Sequence, residues 1–146
     1  MSPFHNPDSD IWLSDGLNLE GALGRTTHLG IGAHQDDLEF MAYEGVSACY
    51  HQSALWFAGV TVTDGRGSSR KGPFASYTNE QIRDVRRQEQ REAAEIGQYT
   101  AQIQLDYPSS ELKGSGRSNV VDDIAYILER MCPQVVYLHQ LSLIHI

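Results

Sequence analysis

Short apolar runs alternate with helical patterns along most of this chain, and that alternation constrains the fold more than any other feature. The runs are rich in Val, Ile and aromatic residues, and their length suits strands that are covered on both faces. They lie at residues 26–33, 54–63, 101–105 and 134–139. Strands that alternate with helices predict βαβ units and a parallel sheet. We therefore expect an α/β fold, a Rossmann-like three-layer α/β/α sandwich with a mostly parallel sheet.

Local signals delimit three helices between these runs. The first, over residues 38–51, begins directly after two aspartates that are good N-cap residues. The second, over residues 78–96, begins with Thr78 and Gln81 at the spacing of a capping box and ends before a glycine. The third is expected to be capped by Ser118 and closed by a proline. Its apolar positions recur at helical spacing: Val121, Ile124, Leu128 and Met131.

Length and charge narrow the functional classes. The chain has 146 residues, enough for one domain with a sizeable core. Residues 1–25 are polar and glycine-rich, so we expect an irregular N-terminal arm there. A net charge of -8 argues against a nucleic-acid partner. The N-terminus has no signal-peptide pattern and no stretch is long enough to span a membrane, so a cytoplasmic protein is the default expectation.

A histidine and two aspartates stand together at the end of the first predicted strand: His34, Asp36 and Asp37. Close carboxylates at a buried strand end raise each other's pKa, and a divalent cation removes that cost. The i,i+3 spacing of His34 and Asp37 points both side chains the same way, and their nitrogen and oxygen donors suit zinc. Asp36 would then lie beside the metal, placed to take a proton from water. The alternative is structural, with Asp37 as an N-cap and His34 as a hydrogen-bonded strand end.

A glycine-containing turn follows the second predicted strand, at residues 63–67 (Thr-Asp-Gly-Arg-Gly). Glycine lets the backbone approach a ligand closely. Arg66 and the basic residues after it make this loop cationic within an acidic protein. The loop is either a substrate-facing segment or a solvated connection.

The helix over residues 78–96 carries a carboxylate on its expected buried face. Glu89 falls in the middle of that apolar stripe, and Arg86 stands three residues earlier. The stripe consists of Ile82, Val85, Ala93 and Ile96. Because a carboxylate on a core face is rarely tolerated unpaired, we expect Glu89 to contact Arg86 or backbone near the site. A structural ion pair and a functional role both remain open.

These segments together resemble the PIG-L/LmbE-like zinc-dependent de-N-acetylases. Residues 32–39 (Gly-Ala-His-Gln-Asp-Asp-Leu-Glu) are similar to the family signature, usually Ala-His-Pro-Asp-Asp followed by Glu, with Gln35 in place of the proline. The turn at residues 63–67 and the Arg-x-x-Glu pattern of the later helix are similar to further motifs of the family, in the same order. The resemblance implies that His34 and Asp37 bind zinc and that Asp36 is the general base.

The resemblance also implies roles around that centre. Gly65, Arg66 and Arg86 are candidates for substrate binding. Three residues are expected to support the site without binding the metal: Glu39, Glu89 and His139. The implied reaction is zinc-dependent hydrolysis of the acetamide of an N-acetylated sugar or glycoconjugate, which gives a free amine and acetate.

The C-terminal part departs from the family. Members take a further zinc ligand from a His-x-x-His segment after the fourth strand, and no such segment follows residue 139 here. Residues 141–146 read like a translated sequencing adapter, so we expect a non-native tail after a partial deacetylase domain at residues 26–140. We expect the sheet to be truncated, the chain as written to be inactive, and the open edge strand to favour a homo-oligomer.

Two other classes compete with this interpretation. Gly30 and Gly32 begin a G-x-G-x-x-G pattern of nucleotide-binding Rossmann domains, but Gln35 occupies the third glycine position. Aspartates at positions 36 and 37 would also repel a pyrophosphate. The other alternative is a non-catalytic ligand-binding protein that kept the fold.

Overall fold

One sheet with helices on both sides accounts for the described part of the chain. The structure, a computed structural model, describes residues 2–139. Its strands are β1 (Asp10–Leu13), β2 (His28–Gly32), β3 (Phe57–Thr63), β4 (Ala101–Tyr107) and β5 (Val135–Leu138). Its α-helices are α1 (Leu19–Arg25), α2 (Asp37–Met41), α3 (Tyr43–Cys49), α4 (Asn79–Ile96) and α5 (Arg117–Met131), with short 3₁₀ turns at Gly72–Phe74 and Glu111–Lys113. The expected non-native tail at residues 141–146 lies outside the described residues.

The sheet has the strand order β1-β4-β3-β2-β5. The pairs β4–β3, β3–β2 and β2–β5 are parallel, and β1 pairs antiparallel with β4 at the edge. The predicted mostly parallel α/β sheet is therefore confirmed. In such a sheet the carboxyl ends of β2, β3 and β5 meet at one edge, where ligands bind in open α/β folds.

The two faces of the sheet are built from different side chains. One face, called here the apolar face, packs against α1 and α5. Its strand residues are Leu29, Ile31, Ala58, Val60, Val62, Ala101, Ile103, Leu105 and Tyr107. The other face, called here the glutamine face, lies beneath α2, α3 and α4 and carries the buried strand residues Thr61, Thr63, Gln102 and Gln104. Because side chains alternate along a strand, each strand contributes to both faces.

The N-terminal segment differs from the prediction. We expected an irregular arm over residues 1–25, but this segment forms β1 and α1 and buries Phe4 and Leu23. The hydrogen-bond partners of β1 lie in β4, and Asp10 pairs with Arg91 of α4. Partners this distant in sequence leave no local pattern, which is why the strand escaped prediction.

The helix ends confirm some sequence signals and correct others. Thr78 and Gln81 form the predicted capping box at the start of α4. The helix expected over residues 38–51 is two helices, because Ala42 (φ −111°, ψ 15°) leaves the helical conformation. Its N-cap, Asp36, makes no side-chain capping bond. The third helix is capped by Gly116, one position before the first helical residue, and not by Ser118.

The buried faces of α4 and α5 are also rotated from the prediction. Val121 and Ile96, both expected inside, are 58% and 76% exposed. Their places are taken by Val120 and Ile127 in α5 and by Ala94 in α4. In the part of the chain that the structure describes, no helix is both long and apolar enough to cross a membrane.

Candidate active site

The sequence segments singled out above converge at the carboxyl edge of the sheet. His34 and Asp37 follow β2, Asp64 follows β3, and His139 follows β5. Thr63 ties the first two of these strand ends together, because its backbone N–H and its hydroxyl both donate to the carbonyl of Ala33, at 2.9 and 2.8 Å. The parallel topology therefore assembles the site from segments about 100 residues apart in sequence.

Asp37 is the meeting point of two histidines. Its Oδ2 accepts a hydrogen bond from the backbone N–H of His34 at 2.8 Å and lies 3.6 Å from Nδ1 of the same histidine. His139 approaches from β5, with Nε2 3.1 Å from Asp37 Oδ2. The backbone N–H of Ala33 also donates to His139 Nε2, at 2.9 Å. His34, 60% exposed at its side chain, faces solvent, whereas the Asp37 side chain is 28% exposed.

The charged forms of His34 and Asp37 stabilise each other. Contact with the Asp37 carboxylate raises the pKa of His34 above its ordinary value, although partial burial opposes the rise. Burial alone would raise the pKa of Asp37, but bonds from the His34 side chain and backbone, with the nearby His139, lower it overall. Asp37 is consequently held as a carboxylate, the form in which it can bind a cation.

The donor pair of His34 and Asp37 fits zinc. Two ligands at about 2.0–2.2 Å from a tetrahedral zinc ion lie about 3.3–3.6 Å apart, and His34 Nδ1 and Asp37 Oδ2 are 3.6 Å apart. Within residues 2–139, no group of three or more His, Cys, Asp and Glu side chains is arranged to hold a metal ion. The described part of the chain thus supplies two donors, and His139 Nε2 lies 3.1 Å from Asp37 Oδ2.

Asp36 is held beside this pair by α4. Its backbone is left-handed (φ 75°), a conformation that an L-residue seldom adopts without support. Arg86 donates from Nη2 to Asp36 Oδ2 at 2.7 Å and to the carbonyl of Gln35 at 3.1 Å. The backbone N–H of Asp36 donates to Gln90 Oε1 at 3.1 Å. The Asp36 carboxylate remains 54% exposed, and so it is anchored without being sealed from solvent.

The guanidinium of Arg86 lies between Asp36 and Glu89, with Nη1 2.5 Å from Glu89 Oε2. Its role in substrate binding stays a prediction. Burial lowers the pKa of Arg86, but the two carboxylates raise it overall. The expected contact between Arg86 and Glu89 is therefore present, and it borders the site.

Glu89 does not lie on the core face, and the prediction of its burial was wrong. Its side chain is 42% exposed, while the next residue, Gln90, is fully buried. Gln90 Nε2 donates to Glu39 Oε1 at 3.0 Å, and Glu39 Oε1 also accepts from the Tyr99 hydroxyl at 2.8 Å. Gln90 and Tyr99 were missed at the sequence level. The available signal for Gln90 was its position next to Glu89, which the helical spacing had placed on the buried face.

Gln35 also has a structural task that the sequence did not reveal. Its side chain is 4% exposed and donates from Nε2 to the Thr63 carbonyl at 3.2 Å and to Gln104 Oε1 at 3.3 Å. The amide therefore joins the turn after β2 to the glutamine face. A proline at this position could make neither bond.

The turn after β3 packs against the same group. Gly65 is left-handed (φ 73°), and a Cβ there would lie 2.6 Å from Gln35 Oε1 and 3.2 Å from Arg86 Cβ. Arg66 folds back on Asp64, with Nε 3.2 Å from Oδ2. Next to this turn lies an open cavity of about 340 Å³ that reaches Arg86. Its walls are Ser68, Ser69, Phe74, Ile82, Val85, Arg86 and Glu89.

The glycines that suggested a nucleotide site are used for packing. A Cβ at Gly30 would lie 2.9 Å from Leu38 Cδ2 and 3.0 Å from the Phe57 ring, and one at Gly59 would lie 2.6 Å from Leu38 Cδ1. A Cβ at Gly32 would meet the Cβ of Asp37 at 3.0 Å. These strand glycines thus seat α2 directly on the sheet and fix the position of the His34–Asp37 turn.

Comparison with known proteins gives one match. Residues 29–146 match the model of a protein family described as PIG-L: GlcNAc-PI de-N-acetylase. No curated protein and no solved structure matches the chain.

Proposed function

The chain belongs to the PIG-L family of GlcNAc-PI de-N-acetylases, and on that premise we propose that the full-length protein catalyses zinc-dependent removal of the acetyl group from an N-acetylated sugar or glycoconjugate. The family indicates de-N-acetylation in general. The observation that carries the finer proposal is the arrangement of Asp36, anchored by Arg86 immediately beside the His34–Asp37 pair.

Each residue has a distinct task in the proposed reaction. His34 and Asp37 would hold the zinc ion, with the Asp37 carboxylate kept in place by the backbone N–H of His34. When bound there, zinc supplies Lewis acidity, which polarises a carbonyl and makes water more acidic. Asp36 takes the proton of the attacking water, and its exposed carboxylate is accessible to that water.

The reaction consumes one water molecule. The water oxygen bonds to the acetamide carbon, the C–N bond breaks, and the nitrogen leaves as an amine after receiving a proton. The products are acetate and the free amino sugar. Arg86 keeps Asp36 oriented while the proton moves, and Glu89 balances the charge of Arg86.

The substrate would enter beside the turn after β3. The cavity that reaches Arg86 is large enough for one sugar ring and offers the hydroxyls of Ser68 and Ser69 and the ring of Phe74. Gly65 lets this turn lie close to Arg86, and Arg66 follows at the same turn.

The test replaces the proposed base. In the full-length protein, Asp36→Asn should lower kcat/KM for amine release from N-acetylglucosaminides by about 10²–10⁴-fold, because the amide cannot accept the proton. Amine release is measured by a fluorogenic label on the new amino group. Asp84→Asn, which makes the same chemical change on the exposed side of α4, is the matched control and should retain activity.

Zinc binding is measured separately by calorimetry. His34→Ala and Asp37→Ala should each weaken it, and Asp36→Asn should not. Full activity in Asp36→Asn would remove the general-base assignment. Zinc binding by the full-length protein without amine release from any of these substrates would remove the hydrolytic assignment.

A further inference from the structure

A second cavity lies at the opposite edge of the sheet from the candidate active site. It has a volume of about 460 Å³ and borders the amino ends of β3 and β4. At about 3.3 Å per residue, the length of β3 separates it from the carboxyl edge by roughly 20 Å. Its lining includes Trp12, Ser14, Asp15, Gln52, Trp56 and Glu95.

The aromatic part of this cavity is held in place. The guanidinium carbon of Arg25 lies 3.7 Å from the centre of the Trp56 ring. Arg25 is itself fixed by bonds to the Thr100 hydroxyl at 2.6 Å and to the Ser14 hydroxyl at 2.9 Å. Trp12 lies in β1, which is paired along its length with β4. Trp12 and Trp56, one ring face of which is covered by Arg25, are therefore held on ordered supports, which lowers the entropic cost of binding a flat or ring-shaped ligand.

The polar part of the cavity carries negative charge. Asp15 and Glu95 are both exposed, and neither forms an ion pair with another side chain in residues 2–139. Arg25 is near enough to Asp15 to interact with its charge, but its donors are directed to Thr100 and Ser14. The amide of Gln52 adds a group that can bond to a hydroxyl.

Aromatic rings beside carboxylates recognise organic cations, since the ring faces attract a positive charge and the carboxylates bond to it. The hydroxyl and amide groups add partners for a polyhydroxylated ring. We propose that this cavity is a second binding site for a small organic ammonium ion, and that its ligand class is the protonated amino sugar. This site is distinct from the proposed deacetylation centre and does not depend on that assignment.

Intrinsic fluorescence gives a selective test. Trp12 and Trp56 are the two tryptophans of the chain, and both line this cavity. Glucosamine hydrochloride should change the tryptophan emission saturably. Glucose, which carries a neutral hydroxyl in place of the ammonium group, should bind at least about tenfold more weakly under matched sodium chloride. An unsaturable response, or equal affinity for the two sugars, would overturn the proposal.

Charge-neutral variants locate the binding. Glu95→Gln and Asp15→Asn should each raise the Kd for glucosamine about threefold to fivefold. The matched control is Glu92→Gln, which removes one carboxylate from the same helix; Glu92 is exposed and bonds Gln88. If Glu95→Gln and Glu92→Gln raise the Kd equally, the effect is a general effect of charge and the proposal is wrong.

A last variant separates the two edges of the sheet. Asp36→Asn changes a carboxylate of the candidate active site and none of the residues that line the second cavity. It should retain the full fluorescence response to glucosamine, and loss of the response would place the ligand at the other edge and overturn the proposal.

Discussion

The two faces of the sheet are both buried, but they are held together by different forces. On the apolar face, Ile103 and Leu105 of β4 pack with Ile127 of α5, and all three are fully buried. On the glutamine face, the same strand turns Gln102 and Gln104 toward α4, where they are buried to the same degree. Apolar packing is non-directional and tolerates small shifts, whereas hydrogen bonds fix both distance and angle.

This difference explains why the site lies where it does. Gln102 Nε2 donates to the Thr61 hydroxyl at 3.0 Å, and Gln104 Nε2 donates to the Arg87 carbonyl at 3.0 Å. The adjacent Gln90 holds the backbone of Asp36. We therefore expect the apolar face to supply most of the stability, and the glutamine face to orient the turn that carries Asp36, the proposed base.

The largest expected effect comes from removing a buried side chain from the apolar face. Ile103→Ala removes a fully buried side chain and should lower the free energy of unfolding by about 2–5 kcal/mol, measured by urea titration. Amine release should remain close to that of the parent chain at a temperature where the variant is folded. Ile96→Ala, at a 76% exposed position, is the control and should change stability little. If the folded variant instead loses most of its amine release, the proposed division between the two faces is wrong.

The second variant lies on the glutamine face, and it should lower activity strongly while it lowers stability only modestly. Gln90→Leu keeps the volume but leaves the Asp36 N–H without its partner, so stability should fall by about 1–3 kcal/mol. Activity should fall about tenfold or more, because the turn that carries Asp36 loses one of its anchors. Gln88→Leu, on the exposed side of the same helix, should alter neither. Retained activity in a folded Gln90→Leu chain would show that the glutamine face has no role in orienting the site.

The smallest expected effect concerns two buried tyrosines on opposite sides of the sheet, Tyr99 and Tyr107. Burial, together with the Glu39 carboxylate, raises the pKa of Tyr99 far above its ordinary value. Burial and the hydrogen bond to Asp123 do the same for the pKa of Tyr107. Both groups stay protonated in the folded chain while they ionise in the unfolded one. Their contribution is therefore complete below the unfolded pKa of about 10 and is lost as the pH rises above it.

The loss should be about 0.8 kcal/mol for each tyrosine at about pH 10.5. Urea midpoints at neutral and alkaline pH measure it in the parent chain. Tyr99→Phe and Tyr107→Phe should each remove about 0.8 kcal/mol of the alkaline loss. If Tyr107→Phe leaves the alkaline loss unchanged, the apolar face does not hold its tyrosine in the protonated form.

The sequence was informative where local signals and periodicity coincide. The four core strands, the capping box at Thr78 and the family were all predicted from it, and the structure and the family match confirm them. The same spacing rules wrongly placed Val121 and Ile96 on buried faces. Helical spacing shows which residues share a face, but it does not show how the helix is rotated against the sheet. Tertiary contacts decide that rotation.

The glutamine face could not be predicted from the sequence. Gln35, Gln90 and Gln102 are of a type that is usually exposed, and only pairing across the sheet and α4 makes their burial tolerable. The position of Arg86 against Asp36 was hidden for the same reason, since its partner stands 50 residues away. The roles of His34, Asp36 and Asp37 in zinc binding and proton transfer stay predictions until the variants are measured.

The bonds from Tyr99 through Glu39 and Gln90 to Asp36 also bear on how such a chain can evolve. A change at any one of these positions leaves a neighbour with an unmatched donor or acceptor. Substitutions there are therefore tolerated mainly in pairs, so positions 39, 90 and 99 would be inherited as one block of covarying residues. The exposed positions of α4, such as Asp84, would drift independently of that block and of one another.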